Sequence, residues 1–121
     1  MARAGGVRTI SPMSEVGAYE HFQRGMELLA SRDFHQAAVA LESAKRLEPD
    51  KASIREALGR AYLSVREYAK AVEEFEVVAE IAPTDHYAQY CLGRAYRGLG
   101  DGDRAARAFE LARCFGSPLV R

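Results

Sequence analysis

The chain has 121 residues, 48% of them hydrophobic and 28% charged, a composition suited to one soluble domain with its own core. Lys+Arg and Asp+Glu are both 17, so the net charge is near zero and the basic surplus of a generic nucleic-acid binder is missing. No run approaches the roughly 18 apolar residues of a membrane span, and the first 17 residues hold Arg3 and Arg8 without the apolar centre of a secretory signal, so the cytoplasm is the expected compartment.

Residues 1–12 are rich in Gly, Ala and Arg and are expected to form a flexible N-terminal segment, with a single domain over 13–121. Helix start signals stand at Ser11-Pro12 and at Ser14-Glu15, and a first helix is predicted to run to about Ala30. Its apolar positions include Val16, Tyr19, Phe22, Met26, Leu28 and Leu29. Ser31-Arg32-Asp33 interrupts the pattern, and Asp33 is the predicted cap of a second helix carrying Phe34, Ala37, Ala38, Leu41, Ala44 and Leu47, stopped by Pro49.

Asp50 is the predicted cap of a third helix, from about Lys51 to Ser64, with Ile54, Leu58, Ala61 and Tyr62 on its apolar stripe. After Val65-Arg66-Glu67 a fourth helix carries Tyr68, Ala71, Val72, Phe75, Val78 and Ile81 and ends before Pro83. Thr84 or Asp85 caps a fifth, which ends at Gly98-Leu99-Gly100. Asp101 or Asp103 starts a sixth, with Ala105, Ala106, Phe109, Leu111, Ala112 and Phe115, and Gly116 and Pro118 are stop signals. No stretch shows the sustained alternation of a half-buried strand.

The six helices fall into three pairs because the sequence repeats. Leu58-Gly59-Arg60-Ala61-Tyr62 returns as Leu92-Gly93-Arg94-Ala95-Tyr96, 34 positions later, and a looser copy, Arg24-Gly25-Met26-Glu27-Leu28, stands 34 positions earlier. Ala37, Ala71 and Ala105 follow the three glycines by 12, and Leu41, Phe75 and Phe109 follow by 16. The repeats span about 18–51, 52–85 and 86–119. A mid-helix glycine costs up to about 1 kcal/mol of propensity. That is intelligible if it admits a partner helix, with the small Ala37, Ala71 or Ala105 expected opposite. One helix pair cannot bury its own apolar face, so stacked neighbours must complete the core.

This pattern resembles the tetratricopeptide repeat over residues 18–119. The family's small–aromatic–small–aromatic–proline signature maps onto Gly59, Tyr62, Ala71, Phe75 and Pro83, and the third repeat matches at Gly93, Tyr96, Ala105 and Phe109. The first is looser, with Gly25, Leu28, Ala37, Leu41, Ala44 and Pro49. The departures are His21, Arg55 and Gln89 where the family has an early large apolar residue, Gly102 in place of an aromatic, and Val78 in place of a small residue.

The resemblance implies an all-α, right-handed α-solenoid of three helix-turn-helix repeats whose first helices line a concave groove. It also implies a protein or peptide partner there. The family's groove positions correspond to Tyr19, Phe22, Met26 and Leu29, then Ser53, Glu56, Arg60 and Leu63, then Tyr87, Tyr90, Arg94 and Arg97. The first repeat offers an apolar surface and the third two tyrosines and two arginines, so the expected ligand has an apolar anchor near Phe22 and Met26 and an acidic group near Arg60 and Arg94. The clamp by which some members hold chaperone C-terminal carboxylates is absent, since Phe22, Met26, Tyr87 and Cys91 stand at its places.

Glu73, Glu74, Glu76 and Glu80 on the fourth helix and Arg104, Arg107 and Arg113 on the sixth read as solvated outer faces. Only Pro118-Leu119-Val120-Arg121 follows the sixth helix, so Phe109, Ala112 and Phe115 are expected as a partly open wall able to self-associate into a homo-oligomer. Otherwise Leu119 and Val120 fold back as a small lid.

Catalysis is not expected. His21, His35 and His86 fall in different helices, no glycine loop is shaped for phosphate, and no cofactor or metal is called for. Cys91, near the groove edge, and Cys114 read as inert reduced thiols. The function expected is a non-catalytic protein–protein interaction module. A self-assembling subunit is the alternative, and single-stranded RNA binding by the Tyr/Arg part of the groove a third reading.

Overall fold

Three times the chain makes a helix, a short break and a second helix. In the computed structural model, which describes residues 16–120, the helices are α1 (Ala18–Ala30), α2 (Phe34–Leu47), α3 (Ala52–Ser64), α4 (Tyr68–Ile81), α5 (His86–Gly98) and α6 (Gly102–Cys114). Each packs on its neighbours in the chain, and α1 meets α3 and α3 meets α5. The result is an all-α solenoid of three helix-turn-helix repeats, with no strand among the described residues. The start signals at Ser11-Pro12 and Ser14-Glu15 and the 1–12 segment lie outside the described residues.

The helix ends follow local chemistry, with two corrections. Asp85 accepts from the backbone N–H groups of Tyr87 (3.0 Å) and Ala88 (3.3 Å), and Asp101 from that of Arg104 (3.1 Å). Asp33 stands at the N-cap of α2 but makes no capping bond. Asp50 is not a cap, because the extended Lys51 intervenes and α3 starts at Ala52. At α1 the Gly17 N–H donates to Glu20 Oε1 at 3.0 Å.

All three turns within repeats share one construction. Arg32 (φ 64°), Arg66 (φ 64°) and Gly100 (φ 81°) take the left-handed conformation. The next N–H, of Asp33, Glu67 or Asp101, reaches back to the carbonyl of Leu28, Tyr62 or Tyr96.

The repeat glycines do admit a close approach, but the expected partner was wrong. A Cβ on Gly59 would lie 2.6 Å from Phe75 Cε2, one on Gly93 2.6 Å from Phe109 Cδ1, and one on Gly25 2.5 Å from Leu41 Cδ2. The large residue sixteen positions on, rather than the alanine twelve on, sits over each glycine. Ala37 and Ala71 are fully buried nearby. Gly59→Ala must therefore displace an aromatic ring. Overpacking of this kind costs about 1–3 kcal/mol, against a helix-propensity gain of up to about 1 kcal/mol. A net loss is expected in the urea midpoint, and one of the same order for Gly25→Ala, whose Cβ would lie 2.5 Å from both Cδ2 and Cγ of the fully buried Leu41. An unchanged midpoint for Gly59→Ala would show that the ring moves freely.

Polar contacts also join successive repeats. The Tyr62 hydroxyl donates to Glu42 and that of Tyr96 to Glu76 (2.7 Å). The larger correction concerns the acidic face. Glu74 is buried, with 3% of its side chain exposed, and pairs with Lys45 Nζ at 2.9 Å and Arg55 Nη1 at 3.1 Å. Lys45 also meets Glu42 at 3.3 Å, and Arg55 Nε donates to the Pro49 carbonyl at 2.7 Å. Arg55, the departure at the early apolar position of the second repeat, thus supplies a cation inside the first repeat boundary.

Candidate functional site

Positions six and three before each repeat glycine, and one and four after it, fall on one face of a 3.6-residue helix. The side-by-side packing of α1, α3 and α5 brings three such faces together. On α1, Tyr19 is 65% exposed, while Phe22 and Met26 are half-buried against the core. Leu29 and Leu63 are buried, which corrects the expectation that Leu63 presents an open groove surface; it belongs to the central core. Arg60, Arg94 and Arg97 are exposed, and Glu56, Tyr87 and Tyr90 half-buried.

The apolar end of this face contains a cavity of about 180 Å³ between α1 and the start of α3. Ala18, Tyr19, Phe22 and Ile54 form its apolar lining, with Glu48, Lys51 and Ser53 completing it.

The opposite end is cationic and aromatic. The Arg94 guanidinium lies 6.0 Å from the Tyr90 ring centre and that of Arg97 lies 5.3 Å from Phe109. Tyr90 in turn packs 6.4 Å from Tyr87 and 5.9 Å from Phe109, centre to centre. Cation–π contacts limit where these guanidiniums can go without consuming their N–H donors. Among the described residues no carboxylate lies within ion-pair distance of Arg60, Arg94 or Arg97. Burial, helped by the Asp85 charge, raises the Glu56 carboxyl above its ordinary range, and Arg60 partly offsets this.

Cys91 is fully buried, not at the groove edge. Burial pushes its thiol up to about 11, partly offset by Tyr87 and the Arg94 charge, and burial likewise raises the neighbouring Tyr87 hydroxyl. The reactive thiolate is therefore scarce at Cys91 in neutral solution. At pH 8 iodoacetamide should label the exposed Cys114 and leave Cys91 intact in the folded chain, with both labelled in urea. Peptide mass mapping that found Cys91 modified first would contradict this burial.

The expected self-association wall is mostly covered. Ala112 is fully buried, which removes it from any exposed surface. Phe109 is half-buried, and Leu119 and Val120 line an open cavity of about 340 Å³ with it, Tyr90 and Arg97. Phe115 is 37% exposed. Among the described residues no group of His, Cys, Asp and Glu is arranged for a metal ion, and no helix is long and apolar enough to cross a membrane.

The model of the Tetratricopeptide repeat family matches residues 22–86. No curated protein matches significantly. Among solved structures, MamA (residues 41 to the end) from Desulfovibrio magneticus RS-1 aligns with a TM-score of 0.82 at 24% identity, covering 84% of this chain and 58% of that one. A further MamA crystal structure gives 0.76 at 29% identity, covering 83% and 58%. The first TPR of Spaghetti (RPAP3), bound to the HSP90 peptide SRMEEVD, gives 0.78 at 14% identity, covering 84% and 80%. The chain thus spans less than two thirds of the MamA chains, and the RPAP3 likeness is one of fold.

Proposed function

This chain belongs to the tetratricopeptide-repeat family, and from that premise we propose that it is a non-catalytic module holding a segment of a partner protein against the face carried by α1, α3 and α5. The observation that carries the reading is the set of three exposed guanidiniums that have no carboxylate partner among the described residues, two of them stacked on aromatic rings. A carboxylate of the ligand supplies what Arg60 and Arg94 lack. An apolar side chain of the same ligand enters the cavity beside Tyr19 and Phe22, with Met26 next to it. Glu56, Tyr87, Tyr90 and Arg97 complete the contact surface, and Leu63 supports it from beneath.

A neighbour of the same fold holds a peptide, SRMEEVD. The ligand of this chain is gripped differently, since Phe22, Met26, Tyr87 and Cys91 occupy the places of the family's carboxylate clamp. Two unpaired thiols suit a reducing compartment such as the cytoplasm.

The test is Arg60→Ala with Arg94→Ala, scored by quantitative pull-down of partners from native lysate. Losing two charge-assisted contacts should weaken capture about tenfold or more. Capture of every partner at wild-type levels would remove the groove reading.

A second reading, self-association through the last repeat, is supported by the partial exposure of Leu111, Phe115 and Leu119. Light scattering at high concentration separates the two, because a monomer excludes the second and leaves the first intact.

A further inference from the structure

The two repeat boundaries are built from equivalent positions but filled differently. At the first, Lys45 on α2 and Arg55 on α3 converge on Glu74 of α4 and fill the space between the helices. Thirty-four residues on, the same three positions are Ala79, Gln89 and Ala108. Two long cations and their carboxylate have been cut back to two methyl groups and an amide. What remains is an open cleft of about 540 Å³ between α4 and α6. It lies away from the groove residues, and none of Arg60, Arg94 or Arg97 lines it.

The walls of this cleft carry opposite charge. Glu76 and Glu80 stand on the α4 side, and Arg104 and Arg107 on the α6 side. Glu76 accepts from the Tyr96 hydroxyl at 2.7 Å. Arg104 is held by Asp101 at 3.6 Å and lies 5.9 Å from the Tyr96 ring centre. Among the described residues Glu80 and Arg107 have no ion-pair partner. Leu92, Ala79 and Ala108 give an apolar surface for an alkyl stem, and Leu111, 43% exposed, lies at the same cleft.

We propose that this cleft is a second docking site, which takes a partner-protein segment carrying an arginine or lysine with an aspartate or glutamate beside it. The incoming cation takes the place that Arg55 fills at the first boundary. Its stem lies on Leu92, Ala79 and Ala108, and its charge meets Glu80 and Glu76. The neighbouring carboxylate of the partner meets Arg107. A polyanion such as nucleic acid is disfavoured by the two glutamates, and a purely basic segment by the two arginines.

The probe is a capped, alanine-rich helical peptide carrying one arginine and one glutamate a helical turn apart, titrated into the isotope-labelled chain and followed by amide chemical shifts. Saturable shifts are expected at Glu80, Gln89, Ala108 and Leu111, and a peptide with both charges replaced by glutamine should bind at least about tenfold more weakly. Ala79→Lys/Gln89→Arg/Ala108→Glu rebuilds the first boundary's ion cluster, fills the cleft and should abolish the shifts. Should that variant not fold, the surface variant Glu80→Gln/Arg107→Gln should still lower affinity at least about tenfold. Arg60→Ala/Arg94→Ala should leave these shifts intact, so failure here and failure of the groove reading are separable. No saturable shift, equal binding of the uncharged control, or full binding by Glu80→Gln/Arg107→Gln would each overturn the proposal.

Discussion

Phe75→Ala should destabilise the chain by about 3–5 kcal/mol, the range for deleting a fully buried aromatic side chain. Phe75 has no exposed surface and covers Gly59 so closely that even a methyl group there would collide with it. It lies in the middle repeat, where α4 packs against both α3 and α5. Removing its ring leaves a hole that the glycine opposite cannot fill. At roughly 4 °C per kcal/mol for a chain of this size, the melting temperature should fall by about 12–20 °C. Phe109→Ala should cost less, because Phe109 is half-buried in a terminal repeat and part of its surface already meets solvent. Thermal melts by circular dichroism decide the order. If Phe109→Ala is the more damaging, the middle repeat is not where the stability of the stack is concentrated.

The repeat phase made the fold legible in the sequence. Three glycines at 34-residue spacing, aspartates and prolines at helix ends, and apolar positions at helical spacing were enough to place six helices. The partner of each glycine was not legible, because Ala71 and Phe75 lie one turn apart on the same helix. Spacing names a face, not the turn that makes contact. The burial of Glu74 is hard to see in the sequence for a related reason. A run of glutamates on an amphipathic helix is ordinarily a wet surface, although Glu74, three after Ala71 and four before Val78, lies nearer the buried stripe than Glu73 does. The cations that bury Glu74 come from α2 and α3, and the equivalent positions at the second boundary, Ala79 and Gln89, carry none.

At the candidate site, the helical register put Arg60, Arg94 and Arg97 on the surface as expected, but it could not report how much neighbouring helices cover. Leu63, Cys91 and Ala112 lie on predicted accessible faces and are buried all the same. Arg94 rests on Tyr90, one turn earlier on its own helix, whereas Arg97 rests on Phe109, a contact that exists only once α5 and α6 have packed.

The ion cluster at the first boundary yields the second large expected effect. Glu74 is the buried member, with 3% of its side chain exposed, whereas Lys45 and Arg55 retain 22% and 17%. Removing Glu74 leaves two cations that can turn toward water. Removing both cations leaves a carboxylate in the helix interface with no counter-charge. Lys45→Met/Arg55→Met, which keeps most of the two stems, should therefore destabilise by about 3–5 kcal/mol. Glu74→Leu alone should cost less. The triple variant Lys45→Met/Arg55→Met/Glu74→Leu should recover most of the loss, because the second boundary stacks with Ala79, Gln89 and Ala108 and, among the described residues, no such ion cluster. Urea denaturation of the four proteins gives the coupling directly. A double variant within about 0.5 kcal/mol of wild type, the additivity error of such cycles, would mean that Glu74 finds water once its cations are gone. Recovery in the triple variant would instead identify the cluster as one of two interchangeable ways to close a repeat boundary. It would also identify the uncharged second boundary as the one left open for a partner's side chains.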